Sequence, residues 1–404
     1  MTTTALVDTQ VLGLLKSHSG TKADLLSAQT AHSPQINNDI RLFGWIATAN
    51  IPSILHPLVA VYAQCINPLV ADPRDAIFVS YMLFYLFTAI PSALWLLFGS
   101  FTWIHAIAHT VYLAVFTAPF ILMLHCLCHR RIGNPKNSPW LDAIVHYFLA
   151  PFFGETWNTF YYHHVKHHHV EDNGPEDLSS TIWYDRDNAL HFLAYFARFY
   201  LFVGMELPWY FYKKGRYSQA FNCLVGEYGT MLGYCLFYLY ICPNNPLGVT
   251  FVFIVPLNLA RYGMMSGNWA QHAFIEPTDP TNDYKSAITC LASFYNKNCF
   301  NDGYHTSHHL NPLRRWDDHP QNFVSTAEKY RKQTTVVFEG LDFHAVWVAL
   351  MFKNYSTLAN HFVQLANKGD PDYMTKEQIM VYLERRTKRL SKEQIAQHYT
   401  LKKQ

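Results

Sequence analysis

The chain has 404 residues, half of them apolar and 16% aromatic, with only 15% charged and a net charge of +2. A near-neutral balance with no basic patch argues against a nucleic-acid partner. The charge deficit is confined to a few windows, which points to membrane spans. Eight cysteines follow no framework pattern, and Met1–Gly20 has neither a basic start nor a sustained apolar run. Reduced thiols and no secretory signal are therefore expected.

Residues 1–40 are polar and Ser/Thr-rich, with a short helix expected at Val11–Leu15. Leu42–Val70 is apolar but broken by Asn50, Pro52, His56 and Pro57, and fits an interfacial helix or an irregular span. Ala76–Gly99 and Phe101–Leu124 each run 24 residues without a charge. That length crosses a hydrocarbon core of about 30 Å and predicts a helical hairpin. Arg130 and Arg131 follow at once and mark that end as cytoplasmic.

Trp140–Phe153 has re-entrant or interfacial length. Residues 191–212 are interrupted by Arg198, Glu206 and Pro208, whereas Tyr228–Cys242 and Leu247–Met265 flank a Pro243–Pro246 turn and predict a second hairpin. If the histidine clusters described next share one membrane face, the chain crosses an even number of times between them. Residues 191–212 then lie along the membrane, and the basic Lys213–Arg216 falls on the cytoplasmic side. Beyond Trp316 the sequence is mixed, with an amphipathic stretch at 343–352 and a basic tail at 376–398, the pattern of a solvated or membrane-surface cap. The organisation expected is an extension at 1–72, a membrane domain at 73–320 and a cytosolic helical tail at 321–404. The fold class is an all-α integral membrane protein with about four transmembrane helices in two hairpins and a cytosolic helical cap carrying the histidines.

Five of the seven residues from His163 to His169 are histidine. On an α-helix His164, His167 and His168 fall at i, i+3 and i+4, on one face. The same H-x-x-H-H pattern recurs at His305, His308 and His309, and an H-x-x-x-H pair, His125 and His129, precedes both. A random chain of this histidine content would hold roughly 0.06 copies of H-x-x-H-H, so two copies are signal. Histidine runs also occur as solvated low-complexity tracts, but three clusters at helical spacing point to metal. Imidazoles without thiolates suit Zn, Cu, Ni or Fe. Cys126 and Cys128 sit inside the first pair and could be read as metal ligands, but a thiolate site would want partner cysteines nearby, which favours packing or a supporting role behind the ligands. His105 and His109, well inside an apolar window, read as paired interior groups or cavity lining.

Three histidine boxes in this order, set at the ends of apolar hairpins over about 76–320, resemble the membrane fatty acid desaturase superfamily, which includes related hydroxylases. Asn268-Trp-Ala-Gln-His272 is similar to the acyl-CoA desaturase segment in which a histidine binds iron and an asparagine four residues earlier reaches metal-bound water. The resemblance implies two irons held by His125, His129, His164, His167, His168, His272, His305, His308 and His309, with Asn268 holding a water. His163 and His169 flank the central box and permit two other registers, His163/His167/His168 and His164/His168/His169. The first box has three intervening residues where animal acyl-CoA desaturases typically have four. The third box begins with His305 and not with the glutamine typical of front-end desaturases. No His-Pro-Gly-Gly signature of a fused cytochrome b5 is present, which implies a separate electron donor such as cytochrome b5 or ferredoxin.

Removing hydrogens from unactivated methylenes is beyond any side-chain acid or base, so O2 and an oxidised metal centre are expected to supply the chemistry. Each ligand histidine needs an acceptor for its second nitrogen. Asp142, Glu155, Glu171, Asp172, Asp177, Asp302 and Asp317 are candidates, although single loop carboxylates are more commonly just solvated. Trp157, Tyr161, Tyr162, Trp269 and Tyr304 adjoin the boxes and fit either the lining of a substrate tunnel or plain packing. The substrate expected is a fatty-acyl chain on CoA or a glycerolipid, in the endoplasmic reticulum membrane with the boxes facing the cytosol. The rival readings are a hydroxylase or acetylenase of the same superfamily and a histidine-rich metal transporter. Transporters place ligands near the bilayer midplane, whereas these clusters lie in polar sequence beyond the span ends.

Overall fold

A backbone that meets lipid must satisfy its own hydrogen bonds, and the charge-free windows are accordingly helical. The computed structural model describes residues 41–43, 46–47, 52–293, 296, 298–366 and 368–399. The short helix expected at Val11–Leu15 lies outside them. Among the described residues four helices are long and apolar enough to cross a membrane: Pro73–Phe98, Trp103–His129, Ala189–Lys213 and Pro246–Gln271.

The number agrees with the sequence reading but the membership differs. Residues 191–212, expected to lie along the membrane, belong to one continuous helix of 25 residues with spanning length. The charges that interrupted its apolar character cancel locally, since the Arg198 guanidinium pairs with Glu206 at 3.1 Å. The helix Tyr217–Leu236 begins upstream of the expected 228 and continues as a π turn to Ile241. Carrying Asn222, Glu227 and Thr230, it is not among the four.

The described chain packs as two units, Asp39–Val170 with Arg198–Met264, and Glu171–Ala197 with Met265–Gln404. In the first, Pro73–Phe98 and Trp103–His129 lie side by side. The Arg130 guanidinium bonds the buried Asp75 carboxylate at 2.7 Å, and Ser92 Oγ stands 2.9 Å from both His105 Nε2 and His109 Nδ1. His105 and His109 are thus paired interior groups. Asn245 donates to the Leu96 and Leu97 carbonyls, fixing the start of the Pro246 helix against the end of the first span. The helix His56–Ile66, in the stretch left open between surface and span, exposes Leu58 and Val61.

The short apolar segment Leu141–Phe153 ends at Gly154, whose φ of 85° suits glycine. A Cβ there would stand 2.1 Å from the Pro256 carbonyl oxygen. Glu155 follows and is 4% exposed. Its Oε1 is buried without a hydrogen-bond partner. Burial pushes its carboxyl up from 4.5 to about 8, with the Arg261 cation opposing and the Glu227 carboxylate adding to the shift.

The second unit departs from an all-helical expectation at one point: Thr289–Leu291 pairs in parallel with Val337–Glu339. The C-terminal tail also departs from a solvated cap. Ile379 and Leu383 join Ala270, Phe274, Ile288, Phe338 and Val346 in one buried core. Arg186, fully buried, donates to the carbonyls of Thr181, Tyr184, Ala273, Arg386 and Lys388, so the guanidinium's donors are spent on backbone.

Two outcomes follow from the first unit. Gly154→Ala, strained by both φ and the Pro256 carbonyl, is expected to destabilise by roughly 1–3 kcal/mol, read as a lower melting temperature in detergent. The proton on Glu155 contributes stability that is fully present below about 4.5 and is lost as pH rises through about 8. Glu155→Gln, neutral in both states, is therefore expected to melt higher than the wild type at pH 8–9, with the difference shrinking toward pH 5; an unchanged pH slope would contradict the assignment.

Candidate metal centre

Each unit holds a tight histidine group. In the first, the end of Trp103–His129 presents His125 and His129 one turn apart. The helix Thr159–His163 runs into a π turn at His164–His168 and on to His169–Glu171. A π turn bonds i to i+5 instead of i+4, so residues four and five apart come to share a face. That face carries His164, His168 and His169. The rings of His125, His129, His164 and His169 contact one another with centroids 4.4–5.1 Å apart. One nitrogen from each lies within 4.8 Å of the others, and the Nε2 atoms of His164 and His169 are 3.0 Å apart. His168 sits 5.7 Å from His164 and 5.6 Å from His169 by ring centroid.

His163 and His167 occupy the other side of the widened turn. Their rings pack on Phe199 at 5.2 Å and Tyr210 at 4.3 Å. Of the central-box histidines, His164 and His169 face each other, the His168 ring lies 5.7 and 5.6 Å from theirs, and the His163 and His167 rings lie on the aromatic side.

In the second unit, His272 Nε2 faces His305 Nε2 at 3.2 Å, and His309 lies 4.8 Å from His272 and 4.5 Å from His305 by ring centroid. His308, on the same short helix His305–Leu310, has its ring 6.0 Å from both box partners and 6.1 Å from His319. The helix is fixed from its flank. Thr289 Oγ1 donates to Thr306 Oγ1 at 3.1 Å, and the buried Asn296 bridges the Cys290 carbonyl and the Gly303 amide. Asn268, one turn before His272, donates its amide to the Ser179 carbonyl at 2.9 Å and the Tyr195 hydroxyl at 2.7 Å.

The donor sets fit a metal. Two nitrogens bound at right angles to one ion, with metal–imidazole bonds of ~2.1 Å, stand about 3.0 Å apart. The closest ring nitrogens, at 3.0 and 3.2 Å, match that spacing. Second nitrogens are anchored where the contacts resolve them. His272 Nδ1 is 3.2 Å from the Ser286 carbonyl and His309 Nδ1 is 3.3 Å from Asp172, with Asp283 at 3.9 Å. Burial, then the neighbouring imidazoles of His125, His169, His129 and His168, hold His164 well below its ordinary pKa. A neutral ring keeps the lone pair that a metal needs.

Of the carboxylates named from sequence, Asp172 meets a box histidine. Asp142 accepts from the Ile132 and Gly133 amides, Asp177 from Asn173 and Ser179, Asp302 from Gln271, and Asp317 pairs with Arg315. Asp283 and the Ser286 carbonyl were missed; a backbone oxygen leaves no trace in sequence. The aromatics divide. Trp269 and Tyr304 are fully buried, Trp269 donating to the Arg186 carbonyl and Tyr304 resting on Phe323. Trp157 is partly exposed with its ring over Gly229, and Tyr161 pairs with Tyr162.

Comparison with known proteins bears on this arrangement. The family model described as Fatty acid desaturase matches residues 101–340, more than half of the chain and all three boxes. No curated protein matches. Taken with four helices apt to cross a bilayer, the match makes this an integral membrane protein and an oxidoreductase of acyl lipids: the chain belongs to the fatty acid desaturase family.

Proposed function

We propose that the protein is a membrane-bound fatty-acyl desaturase with a di-iron centre that uses O2 and electrons from a separate donor, such as cytochrome b5 or ferredoxin. The observation that carries this reading is the pair of facing Nε2 atoms in each unit, 3.0 Å between His164 and His169 and 3.2 Å between His272 and His305. The ligands are His125, His129, His164, His168 and His169 from one unit and His272, His305, His308 and His309 from the other. His169 thereby replaces His167 of the sequence reading.

Bound irons would supply the oxidising power that hydrogen removal from adjacent methylenes needs. The protein's part is placement. Ser286 and Asp172 fix the tautomers of His272 and His309 so that Nε2 faces inward. Neutral imidazoles leave positive charge on the metals. Asn268, its amide nitrogen committed to Ser179 and Tyr195, offers its oxygen to a water. The acyl chain is carried on CoA or a glycerolipid and enters from the membrane helices, with the boxes on the cytosolic face of the endoplasmic reticulum.

Mass spectrometry of total lipids from yeast expressing the chain, beside a His308→Ala control, is expected to show a double bond that the control lacks. A hydroxylated chain in its place would move the assignment to a hydroxylase, and no control-dependent change would remove the enzymatic reading. His169→Ala is expected to abolish the product and lower bound iron, whereas His167→Ala keeps most of both. The reverse result would restore the α-helical register.

A further inference from the structure

The helix Tyr217–Leu236 carries Asn222, Gly226, Glu227 and Thr230, residues the metal reading does not use. All four meet the first turns of the central histidine helix or the segment that leads into it. Thr230 Oγ1 accepts from the Trp157 amide at 3.0 Å, Glu227 Oε2 accepts from Thr156 Oγ1 at 2.9 Å, and Asn222 donates to the Tyr162 hydroxyl at 2.8 Å. Gly226 lets the backbones touch, since a Cβ there would stand 2.3 Å from the Trp157 carbonyl oxygen. Thr156 Oγ1 also meets Thr159 Oγ1 at the first residue of the histidine helix.

Glu227 is itself held. The Arg261 guanidinium bonds Glu227 Oε1 and lies over the Tyr200 ring, 5.6 Å from its centroid, while its second amine reaches the Tyr200 carbonyl at 3.3 Å. Both members of the pair are close to nine-tenths buried. A buried ion pair is weak as a source of stability, because desolvation offsets its attraction. Its strength is directional: a fixed charged acceptor orients the donor that meets it.

We propose that the Glu227–Arg261 pair, acting through Thr156, is a positioning device that selects the widened π register of the central histidine helix. The inference rests on the metal reading above. A regular α turn would put His164, His167 and His168 on one face and carry His169 away; the π turn keeps His169 with His164, and a fixed entry to the helix sets where the extra residue is taken up. Thr156, Trp157 and Tyr162 are tied at that entry, upstream of the π turn at His164–His168.

The test uses the full chain in detergent micelles with Thr156→Val, Thr156→Ser and Glu227→Gln, reading iron per chain and the half-time of iron loss to a ferrous chelator. Wild type and Thr156→Ser are expected to release iron alike, while Thr156→Val and Glu227→Gln release part of it roughly tenfold faster. In cobalt-loaded protein the same two variants are expected to show an altered visible d–d spectrum. Thr156→Val matching the wild type overturns the inference, as does Thr156→Ser failing to restore the wild-type rate. Aggregation of Thr156→Val where Thr156→Ser stays monodisperse makes the contact a folding requirement and overturns it too. A wild-type chain that binds no metal fails at the earlier step and takes down the metal reading itself.

Discussion

An imidazole has two nitrogens, and a partner on one of them fixes the tautomer and the ring plane in which the other can face a metal. This constraint organises much of what surrounds the histidines. It explains why the His272 ring reaches the Ser286 carbonyl and why Asp172, at a turn with positive φ, is brought to His309. It also explains the scaffolding of the short third-box helix, where Thr306, Asn296 and Gly303 are all committed to neighbouring backbone or hydroxyls. Rings that must point in one direction cannot sit on a helix that is free to roll.

The same requirement bears on charge. Clustered imidazoles that became protonated would repel one another, and burial adds to the penalty. His164, surrounded by four other rings, is therefore kept neutral by its setting. The membrane imposes a parallel rule on the spans: Arg198 pairs with Glu206, Asp75 with Arg130, and His105 and His109 share Ser92. Polar groups survive in apolar helices because each has an answering group nearby.

Much of this was legible in the sequence, and the gaps have physical causes. Box spacing, two charge-free runs and the Pro243–Pro246 turn pointed to the histidine groups and to three of the four spanning-length helices among the described residues. The register of the central box was not readable, because spacing arguments assume 3.6 residues per turn and nothing in a run of five histidines announces a π turn. His169 was visible as a flanking residue, but only the widened turn brings it beside His164. Residues 191–212 were set apart from the spans because Arg198 and Glu206 were counted as two charges, whereas in a helix of spanning length they form one pair. The tail was underestimated for a related reason: a basic stretch at 376–398 suggests solvent, yet Arg386 in it is fully buried, donating to the Thr334 and Lys285 carbonyls and the Tyr382 hydroxyl.

Arg186 also sets a timetable for biosynthesis. It is made early, yet its acceptors at Arg386 and Lys388 lie 200 and 202 residues further along the chain. At a synthesis rate of about 5–20 residues per second, that interval is roughly 10–40 s. Throughout it the guanidinium lacks those two acceptors, and residues 171–197 lack the strand and helices that will enclose them. The unit containing the third box thus closes only when residues 376–390 have left the ribosome, so a chain terminated before them would have its membrane helices made while Arg186 and the core around Ala270 and Phe274 lacked the groups that enclose them.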